Sequence, residues 1–356
     1  MYKEEANRGQ RRRRPGRLDR AGVVTLRIVD KTDDRRQPAP ISVFKALSTG
    51  FDRVTARPAL LLPPLLLDLL LWLGPRLGIR RMIETWGEQV FDPAVVDPML
   101  TEQAKAVQMM MAELARRFSL VIGLSAAPGG VPSLMAGRLP LDSPMGSMPP
   151  VQIESPLAAL GMWLGFIVLG LGIGAAFNRL VAIQVAAPQP TAPVGRIWAR
   201  FIGMTAALYL ALVGIGLVLL VVAALAALIT PMLSFFLVMG GVGLLFWLIV
   251  YLAFTPHGIV RYNFGLVRAM AESMLVVRFN LLAALGFLAA SSLIGSAANL
   301  VWVMPREDSW LTMLAVVGHA FVSAMLLTGS YAFYQGRHDW MTSVRPAGRL
   351  GGSQTG

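Results

Sequence analysis

Long apolar runs alternate with shorter polar segments along most of this chain. A helix rises about 1.5 Å per residue and the hydrocarbon core of a bilayer is about 30 Å thick, so a run of about twenty apolar residues can cross it. Six runs approach or exceed this length, near residues 59–77, 156–176, 201–229, 232–254, 281–304 and 311–334. The pattern predicts an all-α fold, a polytopic membrane helical bundle with about six transmembrane helices.

Two amphipathic stretches accompany the predicted spans. The first precedes the first span, with apolar residues at helical spacing at Ile41, Phe44, Leu47, Phe51 and Val54. The second lies between the fourth and fifth spans, with an apolar stripe at Val260, Phe264, Val267, Ala271 and Met274. Arg261 and Arg268 fall on the face opposite this second stripe. Because amphipathic helices lie in the headgroup layer, we expect interfacial helices whose two arginines bind lipid or a partner.

A long polar interval, residues 78–155, separates the first two spans. Asp97 followed by Pro98 predicts a helix start, since aspartate caps a helix well and proline fits its first position. The apolar run at 118–127 is too short to span a bilayer. The sequence leaves open whether this run is re-entrant or interfacial.

Charge adds an orientation to this picture. The chain is 55% hydrophobic and 15% charged, with a net charge of +12, and fifteen of its 32 lysines and arginines precede Ala59. Short loops rich in arginine also alternate with loops that are poor in it. The positive-inside rule therefore predicts cytoplasmic N- and C-termini in a bacterial cytoplasmic membrane.

Five segments follow from these patterns. They are a disordered basic cytoplasmic tail (1–40), an amphipathic helix with the first span (41–77), an extracytoplasmic helical and loop region (78–155), a five-span membrane bundle (156–335) and a cytoplasmic tail (336–356). The first segment contains the basic run Arg11, Arg12, Arg13 and Arg14. Such a run can bind nucleic acid or anionic headgroups, and the neighbouring spans favour headgroups at the cytoplasmic face. No nucleic-acid partner is expected.

Asp68 is the one carboxylate inside a predicted span. A charge at that depth costs at least about 2.5–3.5 kcal/mol, so it must face protein or water. Asn299, His319 and Ser323 are predicted to lie in the same half of the membrane. An Asp–His pair with such support can relay a proton or hold a polar ligand, but it can equally join helices as a buried hydrogen-bonded group. Both interpretations stay open.

Glycine spacing predicts close helix packing in the second span. Gly161 and Gly165 form one GxxxG pair, and Gly170 and Gly174 form another. Small residues at this spacing let a neighbouring backbone approach closely, within one chain or between two. We therefore expect a compact bundle.

The chain lacks the usual signatures of catalysis. It has no cysteine, and its three histidines are too scattered in sequence for a zinc site. No serine elbow, phosphate-binding loop or HExxH motif is present. We expect no metal, no cofactor and no enzymatic activity.

Two functional classes remain. The first is a non-enzymatic scaffold or accessory subunit of a membrane complex, with a protein partner or a second copy of the chain. The second is a transporter or permease component that uses a polar site around Asp68. The presence of a single intramembrane carboxylate favours the first class, because ion-coupled pumps generally use several.

Several local stretches resemble the membrane domain attached to some glycerophosphodiester phosphodiesterases, and uncharacterised multi-pass bacterial membrane proteins related to it. They are the helix before the first span (44–57), the sequence RFNLL from Arg278, the sequence GHAF from Gly318, and residues 331–334. The resemblance implies a membrane-embedded helical bundle. It offers no catalytic residues, and the soluble phosphodiesterase domain has no counterpart here.

Overall fold

The computed structural model describes residues 40–90, 101–146, 149–185 and 191–344. The predictions of a disordered tail with Arg11, Arg12, Arg13 and Arg14, of the helix start at Asp97, and of the end of the C-terminal tail lie outside these residues. The described chain is almost entirely helical, which confirms the predicted fold class. Its helices are α1 Val43–Ala56, α2 Leu62–Leu73, α3 Arg80–Val90, α4 Thr101–Arg117, α5 Leu134–Arg138, α6 Pro156–Val185, α7 Val194–Ala227, α8 Pro231–Leu252, α9 Thr255–Arg261, α10 Leu266–Phe279, α11 Leu281–Trp302 and α12 Leu311–Val344.

Among the described residues, five spans are long and apolar enough to cross a membrane. They are α6, α7, α8 together with α9, α11 and α12, with 22 to 34 residues each. Several exceed the predicted spans because their ends continue with polar residues: α7 begins at Val194 and includes Arg196 and Arg200, and α12 continues to Val344. Five of the six predicted spans are therefore confirmed as helices of sufficient length and apolar composition.

The first predicted span differs from a straight helix through 59–77. A 3₁₀ helix at Pro58–Leu61 leads into α2, and the axis bends by 101° between α1 and the segment Pro58–Leu73. Pro58 explains the break, because proline has no N–H to continue the ladder of α1 and disfavours a helical backbone at the preceding residue, Arg57. At 12 residues, α2 is about 18 Å long, shorter than the hydrocarbon core. Together with α1 it forms a broken span or a re-entrant segment, so the spans number five or six.

Helix α1 packs lengthwise on the second half of α12. Its buried face is Ala46, Gly50 and Val54. A methyl group on Gly50 would collide with the backbone of α12 at Met325 and Gly329, so the absence of a side chain allows the close approach. The predicted amphipathic helix thus exists, and it joins the bundle through small residues, whereas its large apolar side chains such as Phe44 stay exposed.

The second amphipathic stretch is not one helix. It is divided between α9 and α10 at residues 262–265, where Asn263 adopts a left-handed conformation with φ of 54°. The break shifts the phase of the two halves, so the predicted stripe and its opposite basic face do not form. Arg268 is exposed, with its guanidinium 4.3 Å from the Phe264 ring, but Arg261 is buried within the bundle. Its predicted role as an accessible lipid-binding or partner-binding arginine was wrong for this reason.

The segment between α4 and α6 enters the bundle and returns. We call residues 119–138 the re-entrant loop. Its descending arm is the 3₁₀ helix Leu120–Ser125, which follows α6 from Trp163 to Gly170, and its tip at Gly129 reaches Gly174. Its ascending arm ends in α5. From Trp163 to Asn178 the loop tracks about 22 Å of helix axis. The run at 118–127 is therefore re-entrant within the bundle, with most of its apolar side chains buried.

Loops at the start of α12 form a fixed layer. We call residues 75–79, 116–119, 138–142 and 303–308 the loop platform. Arg76 donates to the carbonyls of Leu141, Arg116 and Arg117, and burial lowers the pKa of Arg76. Arg138 donates to the carbonyls of Trp302 and Pro305. A short parallel pair of strands, β1 Leu77–Gly78 and β2 Val151–Gln152, completes the layer.

Candidate functional site

Asp68 holds the ascending arm of the re-entrant loop. Its side chain is fully buried, and its Oδ1 accepts hydrogen bonds from the Ser133 hydroxyl and from the Met135 backbone N–H at 3.0 Å. Ser133 is the N-cap of α5 and also accepts from the Ala136 N–H at 3.0 Å. The Asp68 side chain therefore lies at the N-terminus of α5 and supplies an acceptor to its first N–H groups and to its N-cap. Its Oδ2 has no hydrogen-bond partner.

The structure brings together three of the four predicted polar residues. His319 lies close enough to Asp68 for an electrostatic interaction. The Nε2 of His319 and the hydroxyl of Ser323 are 3.2 Å apart, one helical turn away from each other on α12. Asn299 does not join them, since it lies on an exposed face of α11. Position in the membrane alone did not indicate which face of α11 would be covered.

A second polar cluster, which the sequence did not indicate, surrounds the tip of the re-entrant loop. Asn178 donates from Nδ2 to the Gly174 carbonyl at 2.9 Å and approaches the Gly129 carbonyl at 3.5 Å. Its Oδ1 accepts from the Tyr331 hydroxyl at 3.0 Å. This amide therefore connects α6, α12 and the loop tip. The available signal was an asparagine at the end of a long apolar run.

His257 lies beside this cluster. Its ring Nε2 is 2.7 Å from the Ser330 hydroxyl, which also lies 2.7 Å from the Leu327 carbonyl and donates to it. The ring centroid is 4.4 Å from that of Tyr331. The buried His257 side chain is therefore held by packing against Tyr331 and by its hydrogen bond with Ser330.

A third polar cluster lies at the C-terminal end of α12. His338 is within 3.7 Å of Glu272 and 3.6 Å of Asp339, and its ring centroid is 4.3 Å from that of Tyr262. The Tyr262 hydroxyl donates to Asp339. Burial and this carboxylate raise the pKa of Tyr262. The cluster joins α10, α12 and the turn after α9.

Five polar residues of α12 share one face. His319, Ser323, Ser330, Tyr334 and His338 recur at three- or four-residue multiples, which places them on one side of the helix. All three histidines of the chain therefore lie on or against α12, although they are far apart in sequence. They are spread along the helix, and no group of three metal-ligating side chains forms among the described residues.

The two glycine pairs of α6 have different environments. A methyl group on Gly170 would collide with Leu124 of the re-entrant loop, and one on Gly174 would collide with Gly129. These two glycines allow a close backbone approach, but their partner is the loop and not the helix that was predicted. Gly161 and Gly165 meet nothing within 4 Å and lie exposed. The sequence could not separate the two pairs, because their spacing is the same.

Comparison of the chain with models of known protein families, with curated proteins and with solved structures finds no match. Nothing in these comparisons bears on the resemblance to the phosphodiesterase membrane domain. The candidate site therefore consists of the three polar clusters along α12, in a helical bundle whose described residues contain five or six segments long and apolar enough to span a membrane.

Proposed function

We propose that this chain is a non-enzymatic membrane scaffold or accessory subunit, held in a bacterial cytoplasmic membrane with both termini cytoplasmic. The hydrogen bonding of Asp68 is the observation that carries the proposal. This carboxylate binds the Ser133 hydroxyl and the Met135 N–H, so it fastens the re-entrant loop to α2. An intramembrane charge used in this way has a structural role.

The loop platform supports the same proposal. The guanidinium groups of Arg76 and Arg138 bind five backbone carbonyls and so join four separate loops into one surface. The helices α3 and α4 pack on each other beside this surface. They expose large apolar side chains at Trp86, Met109, Met110 and Leu114. A protein partner or a second copy of the chain would bind this hairpin, while the basic segments, including Arg268, bind anionic headgroups.

Substitutions at Asp68 test the structural role. Asp68→Leu leaves the Ser133 hydroxyl and the Met135 N–H without an acceptor, and each unmade buried hydrogen bond costs about 1–3 kcal/mol. Asp68→Asn keeps one acceptor oxygen and is the matched control. We expect a large loss of unfolding free energy in detergent for the leucine variant and a small one for the asparagine variant. Equal stability of both variants and the wild type would contradict the role.

A transport function is the second candidate, because the polar face of α12 extends over most of its length. Wild-type protein and Asp68→Asn in sealed proteoliposomes, with an internal pH dye, separate the two functions. The scaffold proposal predicts that proton flux equals that of protein-free liposomes for both proteins. A wild-type flux that disappears in a folded Asp68→Asn variant would favour transport.

A further inference from the structure

Helix α1 runs along α12 and so lies at the depth of a membrane span. Ile41, just before α1, lies against Gly336, and the ring centroids of Phe51 and Phe321 are 5.6 Å apart. The two helices are therefore antiparallel, and residues 52 and 53 lie at about the level of residues 320–324 of α12. This level is the middle of the apolar run at 311–334, the part of α12 that is long and apolar enough to cross a membrane.

The exposed surface of α1 has an apolar side and a charged side. Phe44 and Phe51 lie on the apolar side, and Lys45, Asp52 and Arg53 lie on the charged side. Among the described residues, the side chains of Asp52 and Arg53 make no hydrogen bond or ion pair. Charges that meet hydrocarbon at this depth are costly, so the charged side must face protein or water and not lipid.

The charged side of α1 is complementary to itself. Its residues Lys45, Thr49, Asp52 and Ala56 follow the three- and four-residue spacing at which two helices pack lengthwise. In a parallel pair of such helices, the side chain at position 52 packs between positions 49, 52, 53 and 56 of the other helix. Asp52 of each copy therefore meets Arg53 of the other. A pair of α1 helices thus gains two ion pairs and leaves neither charge exposed to lipid.

We propose that the charged side of α1 binds α1 of a second copy of this chain, with the two helices parallel about a two-fold axis along the membrane normal. Copies in one membrane share one orientation, so helices that stand along the normal pair in parallel. Lys45 is about two turns from Asp52 towards the end of the span, where its long side chain reaches the headgroups. This surface lies apart from the α3–α4 hairpin, and the proposal goes beyond the scaffold role and does not depend on it.

Two threonines provide matched single-cysteine variants, since the natural chain has no cysteine. Thr49 lies at the centre of the proposed contact and Thr55 lies on the apolar side, and each hydroxyl donates to the carbonyl four residues before it. We expect mild oxidation of the full-length protein in liposomes to join Thr49→Cys into a disulfide-linked dimer and to leave Thr55→Cys monomeric. Equal dimer yields, or no dimer at position 49, would overturn the proposal. Modification of a monomeric Thr49→Cys protein by a water-soluble thiol reagent would do so too, because water would then cover the charged side.

Exchange of the two charges tests the ion pairs themselves. Asp52→Arg and Arg53→Asp each place like charges together, so we expect the dissociation constant of the dimer, measured by dilution in liposomes, to rise about a hundredfold or more. The double variant with both substitutions restores opposite charges across the contact and should regain most of the affinity. Single variants that dimerise as the wild type does, or a folded double variant that stays monomeric, would contradict the ion pairs. The cysteine comparison stands even if a charge variant does not fold.

Discussion

Alanine at position 174 tests how closely the re-entrant loop packs on α6. The added methyl carbon would lie 2.7 Å from the Gly130 Cα and 2.9 Å from the Gly129 carbonyl carbon. Both are backbone atoms, which cannot rotate away as a side chain does. The loop tip would have to move, and with it the contact between Asn178 and Gly129. Gly165→Ala is the matched control, because Gly165 lies on the same helix and meets nothing within 4 Å.

The expected magnitude follows from two opposing effects. Replacing a helical glycine by alanine stabilises the helix by about 0.5–1 kcal/mol, and this gain is common to both variants. Overpacking at position 174 adds a cost of about 1–3 kcal/mol that the control does not have. The difference between the two variants therefore isolates the packing cost. We expect Gly174→Ala to be less stable than Gly165→Ala by about 1–3 kcal/mol.

Reversible unfolding in mixed micelles by increasing fractions of sodium dodecyl sulfate, followed by tryptophan fluorescence, measures both free energies. A difference below about 0.5 kcal/mol would refute the packing argument, because the two glycines would then have equivalent surroundings. A gain of stability in the control alone would support it.

Two further substitutions test other contacts. Tyr331→Phe leaves the Oδ1 of Asn178 buried without a donor, so we expect the free energy of unfolding to fall by about 1–3 kcal/mol in the same titration. The control is Tyr209→Phe at an exposed position, which should not change it. Equal values for the two variants would contradict the hydrogen bond. Arg138→Met releases the carbonyls of Trp302, at the end of α11, and of Pro305, in the loop before α12. Trypsin should therefore cut faster after the exposed Arg306, and an unchanged rate would contradict the role of Arg138 in the platform.

Span positions were predictable because the cost of exposing polar groups to lipid acts on each segment separately. The runs at 156–176 and 281–304 needed no knowledge of their neighbours. The first run was harder, because a count of apolar residues shows neither the bend before Pro58 nor the end of α2 at Leu73, before Gly74 and Pro75. A run can thus have the apolar composition of a membrane span although no single helix in it is long enough to cross the membrane.

The position of the re-entrant loop depended on a distant part of the chain. The run at 118–127 fits inside the bundle because Gly170 and Gly174 leave space for its backbone. The sequence of the run itself does not show that these glycines lie opposite it, so the sequence left both a re-entrant and an interfacial position open. The same limit applies to Arg261, which is buried because the helix breaks between α9 and α10 around Asn263.

Depth in the membrane predicted part of the site. Asp68 and His319 interact electrostatically, and His319 lies beside Ser323, because these residues lie at similar depth on helices that pack together. Asn178 and His257 were missed, since each is one polar residue in an apolar setting, and their partners come from another helix. Their hydrogen bonds are set by tertiary packing and not by local spacing.

The course of residues 119–138, into the bundle and back, is the central claim of this account, and cysteine labelling tests it most directly. The natural chain has no cysteine, so Met110→Cys and Met145→Cys each provide one thiol, at exposed positions before and after the loop. In sealed vesicles of known orientation, a membrane-impermeant maleimide should label both from the same side. Labelling from opposite sides would mean that the segment crosses the membrane, and the re-entrant loop would be wrong.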